Sequence, residues 1–199
     1  PPSYTELVKQ GIVEEINPMN EYLDNILSVI NVDAIRKRDL RVAVDPMYGV
    51  SLTALSTILA VARCTVETIN AQHDTLFGGK MPAPSADTLR GLQNYVLDRY
   101  CDIGIATDGD ADRLGVIDDK GHYLHANQIL VMLYYYLLKY KGWRGDAVRN
   151  LATTHMLDKV AESFGQKCYE VPVGFKYISA KMQETGAIIG GESSGGLTV

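Results

Sequence analysis

The 199-residue sequence lacks any long hydrophobic run. Its longest, Ile129 to Leu138, falls well short of the ~20 apolar residues that a bilayer-spanning helix needs, so no membrane partner is expected. Pro1-Pro2-Ser3-Tyr4 carries no basic stretch ahead of an apolar one, so no secretory leader is expected either. Positive charge is scarce: 19 Lys plus Arg stand against 24 Asp plus Glu, a formal charge of −5 with no basic stripe, which argues against nucleic acid as a partner. Cysteine is limited to Cys64, Cys101 and Cys168, far apart and in apolar surroundings, the pattern of buried reduced thiols in a cytoplasmic protein. There is no solenoid repeat and no low-complexity tract.

What is present is an alternation of short apolar runs and amphipathic stretches, long enough for two compact units. Asn17-Pro18 opens a helix whose core face is Tyr22, Leu23, Ile26, Leu27 and Ile30. A strand at 40–44 ends at Asp45-Pro46, Gly49 turns the chain, and Ser51 caps a helix with Leu52, Leu55, Ile58, Leu59 and Ala62 inward. A strand at 65–69 leads to a loop at 70–85 containing Gly78, Gly79, Pro82 and Pro84, and a loop of that length in a compact domain is often functional. Ser85 caps a helix over 86–100, with Leu89, Leu92, Val96 and Tyr100 inward. Strands at 101–106 and 114–117 flank an acidic loop, and a turn at 118–121 precedes 122–124. A helix over 127–141, apolar on nearly every face, predicts burial between two layers. Strands at 147–153, 168–171 and 187–190 then alternate with helices at 156–164 and 177–185. The expectation is two tandem α/β domains, 1–121 and 122–199, with mixed, mostly parallel sheets flanked by helices.

Three stretches carry chemistry. Asp108, Asp110 and Asp112 gather three hard oxygen ligands at alternate positions of one turn, and they repel unless a divalent cation neutralises them. Arg113 beside them offers donors suited to phosphate. A calcium hand would need glycine where Arg113 stands, and the flanks read as strands. A solvated acidic turn is the bland alternative; the position after a buried strand favours metal. The Gly49 turn lacks the further glycines of a dinucleotide fingerprint and the Gly-Lys-Ser/Thr of a P-loop, and reads as structural. In Pro172-Val173-Gly174-Phe175-Lys176, Lys176 opens a helix where a phosphate would be at home, although a surface lysine is the simpler reading. Glu192 and Ser194 end another strand and suit sugar hydroxyls, or form a polar turn. His73, His122, His125 and His155 have no partner at zinc-site spacing and read as structural or surface residues.

Asp108-Gly-Asp-Ala-Asp-Arg113 together with Gly191-Glu-Ser-Ser-Gly195 resembles the α-D-phosphohexomutase family of phosphoglucomutases and phosphomannomutases. The Asp45-Pro-Met-Tyr-Gly49 turn and the 70–85 loop fit the same family's second domain. The resemblance implies that the sequence corresponds to the second domain and most of the third of four. The first domain, with its phosphoserine loop, and the fourth, with its phosphate-binding loop, would be missing partners of the same enzyme. It implies Mg²⁺ on Asp108, Asp110 and Asp112, with a phosphoserine oxygen as fourth ligand, and Arg113 on the transferring phosphoryl group. It also implies Glu192, Ser194 and Gly174 at a hexose phosphate, and Lys176 nearby as a catalytic charge stabiliser or proton-transfer aid. Gly-Phe-Lys resembles the phosphoglucomutase version of that stretch, which favours glucose over mannose. The intact enzyme would interconvert hexose 1-phosphate and hexose 6-phosphate, with this piece alone inactive. The alternatives are a non-catalytic module that binds Mg²⁺ or sugar phosphate, and a regulatory paralogue.

Overall fold

The computed structural model describes residues 2–199. Its helices are α1 (Tyr4–Lys9), α2 (Met19–Val29), α3 (Val32–Arg36), α4 (Leu52–Val61), α5 (Arg90–Asp98), α6 (Ala126–Lys139), α7 (Met156–Ser163) and α8 (Phe175–Thr185). Its strands are β1 (Arg41–Asp45), β2 (Thr65–Thr68), β3 (Ile103–Thr107), β4 (Leu114–Asp118), β5 (Tyr123–Leu124), β6 (Ala147–Asn150), β7 (Cys168–Val171), β8 (Ile189–Gly191) and β9 (Leu197–Thr198).

The strands form two mixed sheets, in the orders β2-β1-β3-β4-β5 and β7-β6-β8-β9. Where a helix carries the chain between strands, as α4, α5, α7 and α8 do, the strands lie parallel. Where a short loop does so, as at β3–β4, β4–β5 and β8–β9, they lie antiparallel. In the first unit, Leu89 and the α5 side chains Leu92 and Val96 pack on Ala43, Ala106 and Ile117 of the sheet. In the second, α6 and α7 cover one sheet face, setting Leu130, Tyr134, Leu137 and Leu157 against Ala147 and Ile189. α8 covers the other face, with Ile178 against Val148 and Val171. Each such side chain removed from water contributes roughly 1.5–3 kcal/mol before entropy is counted.

The two tandem α/β units match expectation; several details do not. The first sheet runs on to Leu124, because β5 pairs with β4 beyond the boundary expected at residue 121. No side chain of α2 is buried: Tyr22 is exposed, and Leu23, Ile26 and Leu27 are half-buried. The helix expected over 86–100 begins at Arg90, since Ser85 and Thr88 instead cap a turn before it, each hydroxyl accepting the other's backbone N–H. Tyr100, expected inward, is 87% exposed, because the helix has ended and the residue sits at φ 52°. α6 is buried on one side only, with Met132 and Tyr136 in solvent. Ser51 makes no cap; its hydroxyl pairs with Thr107 Oγ1 at 2.7 Å. Cys101 is buried, Cys64 and Cys168 are half-buried, and all three are free thiols. His125 caps α6, its Nδ1 accepting the Asn127 N–H. Among the described residues no helix is long and apolar enough to cross a membrane.

Candidate functional site

Ligand-binding groups in α/β sheets gather where parallel strands end. β3 ends at Thr107 and delivers Asp108, which is 1% exposed. Its Oδ1 accepts the Arg113 backbone N–H at 3.0 Å and its Oδ2 accepts Arg113 Nε at 2.6 Å. Ala111, at φ 65°, closes the turn by donating its N–H to the Asp108 carbonyl. Asp110 and Asp112 are exposed, and one carboxylate oxygen from each of the three aspartates lies within 4.8 Å of the others. Burial pushes the Asp108 carboxyl up, but the Arg113 donors outweigh it and hold it below the usual carboxylate range. Asp112 moves the other way, raised chiefly by the closeness of the Asp108 carboxylate and further by the charge of Asp110. Three carboxylates against one guanidinium leave an excess of hard oxygen donors, which fits a divalent cation.

A second layer holds this loop. β1 and β3 are neighbours, so the turn after β1 lies directly behind the aspartates. A Cβ on Gly49 would stand 2.5 Å from the Gly109 carbonyl oxygen, and the Val50 N–H donates to that same oxygen at 3.1 Å. The buried Asp45 pins the turn: Oδ1 accepts the Met47 N–H at 2.8 Å and Oδ2 accepts Asn70 Nδ2 at 2.9 Å. The 70–85 loop sets Phe77 and Pro82 beside Gly109.

In the second sheet, β6 and β8 are neighbours and end side by side. Glu192, just past β8, directs Oε1 to Asn150 Nδ2 at 2.9 Å and to the Gly174 N–H at 3.0 Å. Its Oε2 lies 3.4 Å from the Ser194 hydroxyl. Asn150 Oδ1 accepts from Ala152 N–H and the Thr153 hydroxyl, and Thr153 Oγ1 accepts the Ser193 N–H. Sequence reading missed Asn150 and Thr153. The available signal was a polar pair, Arg149 and Asn150, in a strand otherwise made for a sheet interior.

The two loops meet. Gly195, at φ 108°, lies so close to Arg113 and Leu114 that a Cβ there would be 3.3 Å from the Leu114 carbonyl oxygen. Between them opens a cleft of about 690 Å³ lined by Asp110, Asp112, Arg113, Glu192 and Ser194, with Phe175 and Leu197 as apolar wall. Asp108 sits buried within the aspartate turn. Gly174 has committed its N–H to Glu192. Lys176 is exposed off the cleft wall, with Nζ 4.9 Å from the Tyr177 ring centroid. The arrangement places a cationic donor and carboxylates from the first unit opposite a carboxylate and a hydroxyl from the second, as a ligand with an anionic end and a polyhydroxylated body requires.

Comparison with known proteins identifies the same two units. Residues 20–121 match the model for phosphoglucomutase/phosphomannomutase α/β/α domain II, and residues 125–199 match the model for domain III. A phosphoglucomutase/phosphomannomutase of Thermococcus kodakarensis is 31% identical over 192 residues, 96% of this chain and 41% of the relative. A phosphoglucosamine mutase of Methanococcus maripaludis is 29% identical, over 92% of this chain and 41% of its own. The solved structure of a provisionally assigned phosphomannomutase from Thermus thermophilus superposes with a TM-score of 0.87 at 31% identity, covering 93% of this chain and 43% of that one. The chain thus spans about two fifths of the length of these relatives. With both of its units matched in order, the chain belongs to the phosphoglucomutase/phosphomannomutase family.

Proposed function

We propose that this chain is the metal- and sugar-recognising part of an enzyme that interconverts hexose 1-phosphate and hexose 6-phosphate. Asp108, Asp110 and Asp112 would hold Mg²⁺, which supplies charge stabilisation to the transferring phosphoryl group when bound. Arg113 offers its guanidinium to that group from the cleft wall, anchored through Nε by Asp108 so that its remaining N–H donors stay available. Glu192 and Ser194 accept and donate hydrogen bonds to hexose hydroxyls, and Lys176 adds positive potential from the first turn of α8. The nucleophilic phosphoserine and the clamp for the second phosphate belong to first and fourth domains outside these 199 residues, and phosphate passes through a bisphosphate intermediate that reorients between steps.

The observation that carries the reading is the single cleft shared by Asp110, Asp112, Arg113, Glu192 and Ser194. Glucose phosphate is favoured by Gly174-Phe175-Lys176, and a hexosamine phosphate is the second candidate because relatives such as that of Methanococcus maripaludis are phosphoglucosamine mutases. Calorimetric titration of the chain with Mg²⁺, then with glucose, mannose and glucosamine 1-phosphates, tests both points. The expected result is weak Mg²⁺ binding abolished by Asp110→Asn, with sugar phosphates binding better than inorganic phosphate. Mg²⁺ binding indifferent to Asp110 would overturn the metal assignment. Turnover of glucose 1-phosphate by this chain alone would overturn the assignment of the nucleophile to another domain.

A further inference from the structure

The two oxygens of Glu192 are used differently. Oε1 is occupied by two short hydrogen bonds, from Asn150 Nδ2 and the Gly174 N–H. Oε2, whose one partner among the described residues is the exposed Ser194 hydroxyl at 3.4 Å, is left to receive a donor from the cleft. What enforces this division is Asn150, which is 3% exposed and has one workable amide orientation. Its Oδ1 already accepts the Ala152 N–H at 3.0 Å and the Thr153 hydroxyl at 2.8 Å. Turning the amide over would set NH₂ against two donors and oxygen against a carboxylate, and in a buried site no water relieves that mismatch. Thr153, 2% exposed, extends the hold by accepting the Ser193 N–H at 3.1 Å, so the residue after Glu192 is tied to the same turn.

We propose that Asn150 is a positioning residue for the sugar-recognition loop: it fixes Glu192 with one carboxylate oxygen presented to a hexose hydroxyl and the other withheld, and Thr153 locks Asn150 in the orientation that does so. The proposal rests on the reading of Glu192 as a hydroxyl-binding group. A merely structural asparagine, capping the turn after β6, would use Oδ1 alone, so the two roles separate at Nδ2. Asn150→Asp keeps the acceptor for Ala152 and Thr153 and replaces the donor facing Glu192 with a second carboxylate oxygen.

The test is an amide ¹H–¹⁵N NMR comparison of the 199-residue chain with Asn150→Asp, Thr153→Val and Glu192→Ala, paired with calorimetric titration of glucose 1-phosphate and inorganic phosphate. In Asn150→Asp the Gly174 amide is expected to shift toward its position in Glu192→Ala, while the Ala152 amide stays in place. Glucose 1-phosphate affinity falls by about ten-fold or more, the scale of losing a hydrogen bond to a charged group, and inorganic phosphate affinity is unchanged. Thr153→Val, which preserves volume, moves the same Gly174 amide by a smaller amount and so serves if the aspartate variant does not fold. A Gly174 amide at its wild-type position in both variants, with unaltered glucose 1-phosphate affinity, would overturn the proposal. Absence of glucose 1-phosphate binding by the unaltered chain would instead sink the hexose reading, and the Gly174 resonance would still decide the positioning role.

Discussion

At the scale of single residues, the aspartate loop depends on a side chain that is not there. Gly49 lets the turn after β1 press on Gly109, and one methyl group at 49 meets the Gly109 backbone, which cannot rotate away as a side chain could. Gly49→Ala is therefore expected to cost about 1–3 kcal/mol, the range for overpacking a close contact, measured by urea unfolding. It should also weaken the Mg²⁺ binding proposed for the aspartates by displacing Gly109, which calorimetry would show. Asp45 gives a pH-dependent counterpart. Burial raises its carboxyl above the ordinary 3.8, against the pull of the Met47 N–H, the Asn70 amide and Lys80. A folded state that holds the proton more tightly than the unfolded one loses stability as pH rises from about 3.8 through the raised folded value. Asp45→Asn removes that loss, so its stability relative to the unaltered chain should climb with pH across this window in matched denaturant titrations. A difference that is flat, or that falls with rising pH, would contradict the burial argument.

At the scale of elements, β6 carries the most demanding polar group in the second unit. Arg149 is 2% exposed, yet its guanidinium meets Asp158 of α7 at 2.7 Å, Glu170 of β7 at 2.8 Å and His155 Nδ1 at 2.8 Å. One side chain thus ties helix to two strands, directly before Asn150 turns toward Glu192. Arg149→Ala should destabilise the chain by about 3 kcal/mol, the low end for breaking a buried pair, because Asp158 and Glu170 reach solvent and can be hydrated once released. A double-mutant cycle with Asp158→Ala isolates the pair's share. These elements also mark how far sequence reading reaches. Hydrophobic period placed the strands and most helices, because an apolar run such as Leu114 to Ile117 has one sensible fate in an α/β chain, whereas the side-chain caps expected from Ser51 and Ser85 do not form on α4 and α5. The acidic loop and Glu192 were legible because each motif is local. The short α1 and α3 were missed because helices of one or two turns have little periodicity to detect. α2 was over-read as core, since an apolar stripe can rest half-covered against α4 without being enclosed. Asn150 was invisible because its importance comes from the β6–β8 pairing, about 40 residues distant in sequence, which no local pattern encodes.

At the scale of the whole molecule, the two units make one site only because they touch. Gly195, in the left-handed region that favours glycine, rests on Arg113 and Leu114 and so sets the spacing between the guanidinium of one unit and the Glu192 carboxylate of the other. Any branched side chain at 195 must both adopt a strained backbone and push against the Leu114 carbonyl, so the cheaper response is for the loops to part. Gly195→Val is therefore expected to widen the cleft while leaving the aspartates, which belong wholly to the first unit, as they were. The signature is a split between ligands. Glucose 1-phosphate affinity should drop by about ten-fold or more, since a ligand that bridges the units loses one set of contacts, while Mg²⁺ affinity stays within about two-fold. Calorimetry on the same protein preparation reads both. An equal loss of Mg²⁺ binding would mean that position 195 acts through the stability of the aspartate loop, and a loss of neither would mean that the hexose is held by one unit alone.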